Sequence, residues 1–120
     1  MAFLHTSFVL AVPDVETAAS YWVDVLGFTM QLTPPGWRFV TRDLCRVMLG
    51  ECPDAIAPAR LGDHSYFGYI IVDNLDDYHT EIAGRAALIL SPPADKDWGM
   101  REMTVATPDG HRLMFGEEIG

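Results

Sequence analysis

Apolar residues recur along the chain with two spacings, and these spacings alternate in the same order twice. Runs in which every second residue is apolar predict strands, while apolar residues three and four positions apart predict helices. The first helix should begin after Asp14 and end at Gly27, and the second should begin after Asn74 and end near Gly84. The predicted strands are residues 8–12, 28–32, 37–41 and 45–50 in the first half and 67–72, 87–90, 101–106 and 112–117 in the second.

The two halves also share a short sequence, which indicates a duplicated unit. Residues 46–51, Arg-Val-Met-Leu-Gly-Glu, return as residues 112–117, Arg-Leu-Met-Phe-Gly-Glu. We therefore expect an α+β fold in a single domain over residues 1–120, built from two βαβββ modules. The first module should span residues 3–50, a proline-containing linker residues 51–63, and the second module residues 64–118.

Composition and charge narrow the classes of function. The chain has 120 residues, of which 49% are apolar, so it can bury a core and is not a disordered chain. Lysine and arginine number 8 against 17 aspartate and glutamate, a net charge of −9. This charge argues against a nucleic-acid partner, because it repels phosphate. It either keeps the protein soluble or attracts a cationic ligand.

Cysteine usage and the N-terminus predict a cytoplasmic protein. Cys45 and Cys52 are too few for a disulfide framework, and we expect both to be reduced. No signal peptide is evident at the N-terminus, and no apolar run is long enough to span a bilayer. We therefore expect no membrane partner.

Three segments carry a resemblance to a known family. Residues 18–28 (AASYWVDVLGF), 97–103 (DWGMREM) and 108–113 (PDGHRL) resemble the vicinal-oxygen-chelate superfamily of glyoxalases, dioxygenases and bleomycin-resistance proteins. The resemblance covers nearly the whole chain and is strongest to the bleomycin-binding branch. It implies the glyoxalase/bleomycin-resistance fold, in which the sheets form a cupped cleft. It also implies a homodimer that exchanges its first strand, although the proline that accompanies this exchange is missing here.

The same resemblance also indicates where a metal site would lie in this chain. Metal-dependent members place their ligands at positions that correspond here to Ser7, Phe67, Met48 and Met114. Divalent ions in such sites prefer imidazole or carboxylate ligands, which none of these residues provides. His5, His64, His79 and His111 do not fall on one strand face, and each is interpreted as a surface or core residue. We therefore expect no metal and no cofactor.

Catalytic residues are not expected either. Cys45 lies on the predicted packing face, with no evident base to activate it. Glu102 faces the cleft and could act as a general base. The favoured alternative is that it pairs with an arginine such as Arg46 or Arg112.

Strand alternation, with Trp37 added at the rim, selects a set of candidate ligand contacts. They are Trp37, Met48, Phe67, Tyr69, Trp98, Met100, Glu102, Arg112 and Met114. Aromatic and methionine side chains bind flat apolar groups, but they also form cores and dimer contacts. By resemblance, Trp37 and Trp98 correspond to residues that hold the planar bithiazole of bleomycin.

Three functions stay open. The favoured one is a metal-free protein that sequesters a planar, cationic small molecule, with bleomycin-type antibiotic resistance implied by the resemblance. The second is a metal-dependent lyase, isomerase or dioxygenase. The third is a dimeric interaction module that binds no ligand.

Overall fold

The first half of the chain folds as a strand, a helix and three further strands. This computed structural model describes residues 1–62 and 65–120. The elements are β1 (Phe8–Val12), α1 (Val15–Ser20) continued by a π-helical segment (Tyr21–Val25), β2 (Thr29–Leu32), β3 (Trp37–Arg42) and β4 (Cys45–Glu51). They form a sheet in the order β1-β4-β3-β2, in which β1 is parallel to β4 and the other neighbours are antiparallel.

The second half repeats this arrangement. After a 3-10 helix (Pro58–Leu61) come β5 (Tyr66–Ile71), α2 (Leu75–Ala83), β6 (Leu88–Asp95), β7 (Met100–Ala106) and β8 (Arg112–Glu118). The sheet order is β5-β8-β7-β6, with β5 parallel to β8. The α+β class and the two βαβββ modules are thus confirmed.

The chain divides into two compact units. The first unit comprises residues 1–56 and the second unit residues 57–120. The module boundary predicted between residues 63 and 64 falls on Asp63 and His64, which lie outside the described residues.

Side-chain caps explain where both helices begin. Oδ1 of Asp14 accepts hydrogen bonds from the backbone N–H groups of Glu16 (2.9 Å) and Thr17 (3.2 Å). Oδ1 of Asn74 accepts one from Asp77 N–H at 3.1 Å. Such caps satisfy backbone donors that have no partner inside the helix. The first helical region ends before Gly27, whose φ of 80° favours glycine, as the sequence predicts.

Each sheet packs one face against the helix of its own unit. The buried side chains include Leu10, Val12, Trp22, Val47 and Leu49 in the first unit and Leu75, Ile82, Met103, Val105, Leu113 and Phe115 in the second. Because side chains alternate along a strand, the residues between them lie on the opposite face. We call this opposite surface the open face of each sheet.

Strand β6 is longer than the sequence predicts. It runs through Pro92 and Pro93 to Asp95, whereas the sequence predicted a strand ending at residue 90. Its pairing with β7 shifts register between Ile89 and Ser91 and again before Ala94. β6 lies at the edge of its sheet and pairs with β7 alone. The two prolines, which have no N–H to donate, therefore disrupt no hydrogen bonds to a second neighbouring strand.

In the part of the chain that the structure describes, no helix is long and apolar enough to cross a bilayer. The thiols of Cys45 and Cys52 are free, the first half-buried and the second exposed.

Candidate functional site

Three predicted contact residues meet on the open face of the second unit around one carboxylate oxygen. The Tyr69 hydroxyl donates a 2.8 Å hydrogen bond to Oε2 of Glu102. The indole Nε1–H of Trp98 donates a 3.1 Å hydrogen bond to the same oxygen. We call these three residues the Glu102 cluster. The partners of Glu102 are thus two neutral donors rather than the arginine favoured above, and neither donor compensates its charge.

A glycine makes room for the ring of Tyr69. Glu102 on β7 pairs with Gly116 on β8, while Tyr69 on β5 pairs with Met114 on the same strand. The Tyr69 ring therefore crosses β8 above Gly116 to reach Glu102. A Cβ atom added to Gly116 would lie 2.6 Å from Cζ and 2.9 Å from Cε1 of Tyr69. A glycine inside a strand often marks such a close approach.

A tight turn between β6 and β7 positions Trp98. The Lys96 N–H donates a 2.7 Å hydrogen bond to the carbonyl of Met100, and the Gly99 N–H donates a 3.3 Å hydrogen bond to the carbonyl of Lys96. Gly99 has a φ of 79°, which only glycine adopts at little cost. Trp98 is 65% exposed, so its ring remains accessible while its N–H is held.

The first unit carries a similar feature on its own open face. Trp37 on β3 pairs with Gly50 on β4, and a Cβ added there would lie 2.9 Å from Cη2 and Cζ3 of the indole. The Trp37 ring also contacts Phe39 nearly edge to face, with centroids 6.2 Å apart. Gly50 and Gly116 occupy the same position in the repeated hexamer. In each unit one aromatic ring, Trp37 or Tyr69, packs against this glycine.

The remaining candidates have the following places. Met48 is half-buried on β4 beside Phe39, and Met114, Met100 and Arg112 are half-buried on the strands of the second unit. The structure thus brings Met114 next to the Glu102 cluster, while Trp37 and Met48 belong to the first unit. Phe39, Gly50 and Gly116 are site features that sequence reasoning missed. The repeated glycine was the available signal for the last two.

Phe67 lies where the strand alternation is interrupted. The pairing of β5 with β8 shifts register between Tyr66 and Gly68. The half-buried Phe67 ring stands edge to face against the buried His111, with centroids 6.2 Å apart. Whether Phe67 contacts a ligand stays a prediction.

Two pKa shifts describe the chemistry of the exposed hydroxyl and the half-buried thiol. Desolvation, followed by the hydrogen bond to Glu102 and the charge of Glu102, raises the pKa of Tyr69 to about 12. Burial raises the pKa of Cys45 to about 11. At neutral pH, Tyr69 is therefore a proton donor in its hydrogen bond, and Cys45 is a thiol rather than a nucleophilic thiolate.

The residues at the four positions that correspond to metal ligands do not fit a divalent ion. Ser7, Met48, Phe67 and Met114 offer a hydroxyl, two thioethers and a phenyl ring. Within residues 1–62 and 65–120, no group of three or more His, Cys, Asp or Glu side chains could hold a metal ion. His64, considered above, lies outside the described residues.

A polar cavity in the first unit was not predicted. It has a volume of about 350 Å³, and its lining includes Asp14, Glu16, Arg38 and Glu51. Arg38 Nη2 forms an ion pair with Glu16 at 3.3 Å. None of the nine candidate contacts lines this cavity.

Comparison with known proteins decides the family. Residues 3–115 match the model of the Glyoxalase/Bleomycin resistance protein/Dioxygenase superfamily. The chain belongs to this superfamily. The resemblance stated from the sequence is therefore confirmed at the level of superfamily and fold. No curated protein matches the chain at a significant level.

Several solved structures resemble the chain over nearly its whole length. TioX from Micromonospora sp. ML1 is 25% identical with a TM-score of 0.79, and the match covers 98% of this chain and 100% of TioX. The bleomycin-binding protein of Streptomyces verticillus, solved with copper(II)-bleomycin, is 25% identical with a TM-score of 0.76, covering 100% and 98%. A superfamily member from Sphaerobacter thermophilus DSM 20745 is 27% identical with a TM-score of 0.69, covering 98% of each chain.

Proposed function

We propose that this protein is a metal-free binding protein that sequesters a planar, cationic small molecule without converting it. The observation that carries the proposal is the exposed indole of Trp98, which Glu102 holds through its N–H. A ring fixed in this way offers a stacking surface and loses little conformational entropy when a flat ligand binds.

Charge supports a cationic ligand. The net charge of −9 attracts cations over a distance and favours their encounter with the protein. Glu102 adds a negative charge at the ring itself, since its two hydrogen-bond donors are neutral.

Bleomycin-type antibiotics are the ligands to test first, and resistance to them is the proposed role. The support is the 25% identity, over the full length, to the bleomycin-binding protein of Streptomyces verticillus. We include a homodimer in the proposal, because Phe3 (92% exposed) and Leu4 (87% exposed) leave apolar surface for a second copy to cover. The free thiols of Cys45 and Cys52 support a cytoplasmic location.

Calorimetric titration with copper(II)-bleomycin tests the binding. We expect saturable binding by the wild type and a loss of about 2 kcal/mol, roughly 30-fold in Kd, in Trp98→Ala. Leu44→Ala is the control, because Leu44 is 94% exposed in the turn between β3 and β4 and should leave Kd unchanged. Absence of binding, or equal affinity of Trp98→Ala and wild type, contradicts the proposal.

Light scattering tests the dimer. The proposed assembly has twice the 13.3 kDa mass of the chain. A monomer at the concentrations used for titration contradicts this part of the proposal but leaves the Trp98 test intact.

A further inference from the structure

The two oxygens of Glu102 have different surroundings. Oε2 accepts both hydrogen bonds of the cluster, at 2.8 Å from Tyr69 and 3.1 Å from Trp98. No hydrogen bond to Oε1 occurs among the described residues, and the side chain is half-buried at the sheet surface. The protein therefore orients Oε2, while Oε1 has no hydrogen-bond partner among the described residues.

The basic residue next to Glu102 in sequence does not neutralise it. Arg101 points to the opposite face of β7. There its Nε forms an ion pair with Asp95 at 2.6 Å, and its Nη1 forms one with Asp76 at 2.8 Å. Hydrogen bonds to the arginine hold the pKa of Asp95 below its usual value, as expected of a formed ion pair. Over residues 1–62 and 65–120, Glu102 forms no ion pair.

We propose that Glu102 recognises a cationic group attached next to the flat ring of the ligand, with Tyr69 and Trp98 as positioning residues. The inference rests on the proposed function and names the group that gives it charge specificity. A protonated amine, guanidinium or sulfonium would meet Oε1 while the adjoining ring stacks on the indole. The aromatic rings beside the carboxylate favour the same charge, because a cation is attracted to a π face.

Gly116 completes this arrangement. Without a side chain at this position, Tyr69 lies across β8 and its hydroxyl reaches Oε2. The carboxylate is thereby held by two elements, the turn that carries Trp98 and the strand β5 that carries Tyr69.

Two related probes separate charge recognition from simple anchoring. Copper(II)-bleomycin carries a cationic terminal amine beside its bithiazole, and copper(II)-bleomycinic acid carries a carboxylate there. We expect the wild type to prefer the amine form and Glu102→Gln to reduce that preference by up to about five-fold. Glutamine keeps one oxygen to accept from Tyr69 or Trp98, so stacking should persist. Asp73→Asn removes one charge at an exposed site of the same unit and should leave the preference unchanged.

The outcomes distinguish the two proposals. If Glu102 only anchors Trp98, Glu102→Gln weakens both probes by the same factor, and that result overturns the inference while the proposed function stands. If the wild type binds neither probe, the proposed function fails and the inference fails with it.

A measurement without ligand tests the arrangement directly. The indole N–H resonance of Trp98, assigned by comparison with Trp98→Phe, should shift in Glu102→Gln and in Tyr69→Phe, because both changes alter its acceptor. The resonances of Trp22 and Trp37 should stay in place. An unmoved Trp98 resonance in both variants overturns the inference.

Discussion

Replacing Gly116 with alanine adds one methyl group where the ring of Tyr69 lies. The new Cβ would be 2.6 Å from Cζ of the ring, whereas carbon atoms in contact normally lie about 3.5 Å or more apart. The ring must therefore move by roughly 1 Å. A shift of this size lengthens or bends the 2.8 Å hydrogen bond to Glu102 and weakens it.

The expected cost follows from two opposing effects. Overpacking in a core costs about 1–3 kcal/mol, and the lower end applies here, because the ring that must move belongs to a side chain that is 41% exposed. Alanine lowers the entropy of the unfolded chain and returns about 0.4–1 kcal/mol, since Gly116 is not among the glycines with positive φ. We expect a net destabilisation of less than about 1 kcal/mol. Desolvation is the largest cause of the raised pKa of Tyr69, and the hydrogen bond to Glu102 comes next, so the pKa should fall below about 12 as the displaced ring weakens that bond.

The pH dependence has a definite sign. A folded-state pKa above the unfolded value means that folding retains the proton, so the stability from this group is present below pH 10 and is lost as pH rises towards 12. Gly116→Ala should lose less stability over that range than the wild type.

Urea unfolding at neutral and alkaline pH, combined with phenolate absorbance measured against Tyr69→Phe, checks both expectations. Gly84→Ala is the matched control, because its nearest added contact would be 3.6 Å away and its backbone φ is −67°. An unchanged pKa of Tyr69, together with the same loss of stability at alkaline pH as the wild type, would show that Gly116→Ala leaves the Tyr69–Glu102 contact in place.

Two further predictions concern the start of α2 and the two cysteine thiols. Glu117→Ala removes the carboxylate that accepts the 2.8 Å hydrogen bond from Leu75 N–H at the start of α2, and should lower the free energy of unfolding by about 1 kcal/mol in urea titrations. Glu118→Ala, at an exposed neighbour, should change it by less than about 0.5 kcal/mol, and equal effects would contradict this role. At about pH 8, a disulfide reagent should label Cys52 quickly and Cys45 slowly, because a pKa of about 11 leaves Cys45 little thiolate. Cys52→Ser should abolish the fast phase, and a fast phase that persists would contradict the assignment.

Local signals account for the parts of the fold that the sequence predicts well. Asp14 and Asn74 cap helices with their own side chains, so the starting points depend only on neighbouring residues. Strand β1 was predicted with its observed bounds, because alternation between Leu10 and Val12 and their exposed neighbours is uninterrupted. Pro92 and Pro93 locally argue against a strand. Only the edge position of β6 in the assembled sheet permits them.

The candidate site was predicted as a set of residues but not as an arrangement. Tyr69, Trp98 and Glu102 each followed from strand alternation or resemblance. Their shared oxygen depends on how β5, β8 and β7 pair, and pairing between distant strands is not encoded in local spacing. Gly116 shows the same limit, because its repetition was visible while the ring above it was not.

Sequestration requires that the protein hold its ligand unchanged. Incubation with copper(II)-bleomycin, followed by gel filtration and mass spectrometry of the protein fraction, measures whether it does. We predict that the ligand co-elutes with the wild type in stoichiometric amount with its mass unaltered, and that Trp98→Ala retains less of it. A ligand that elutes apart from the wild-type protein, or that returns with a changed mass, contradicts sequestration.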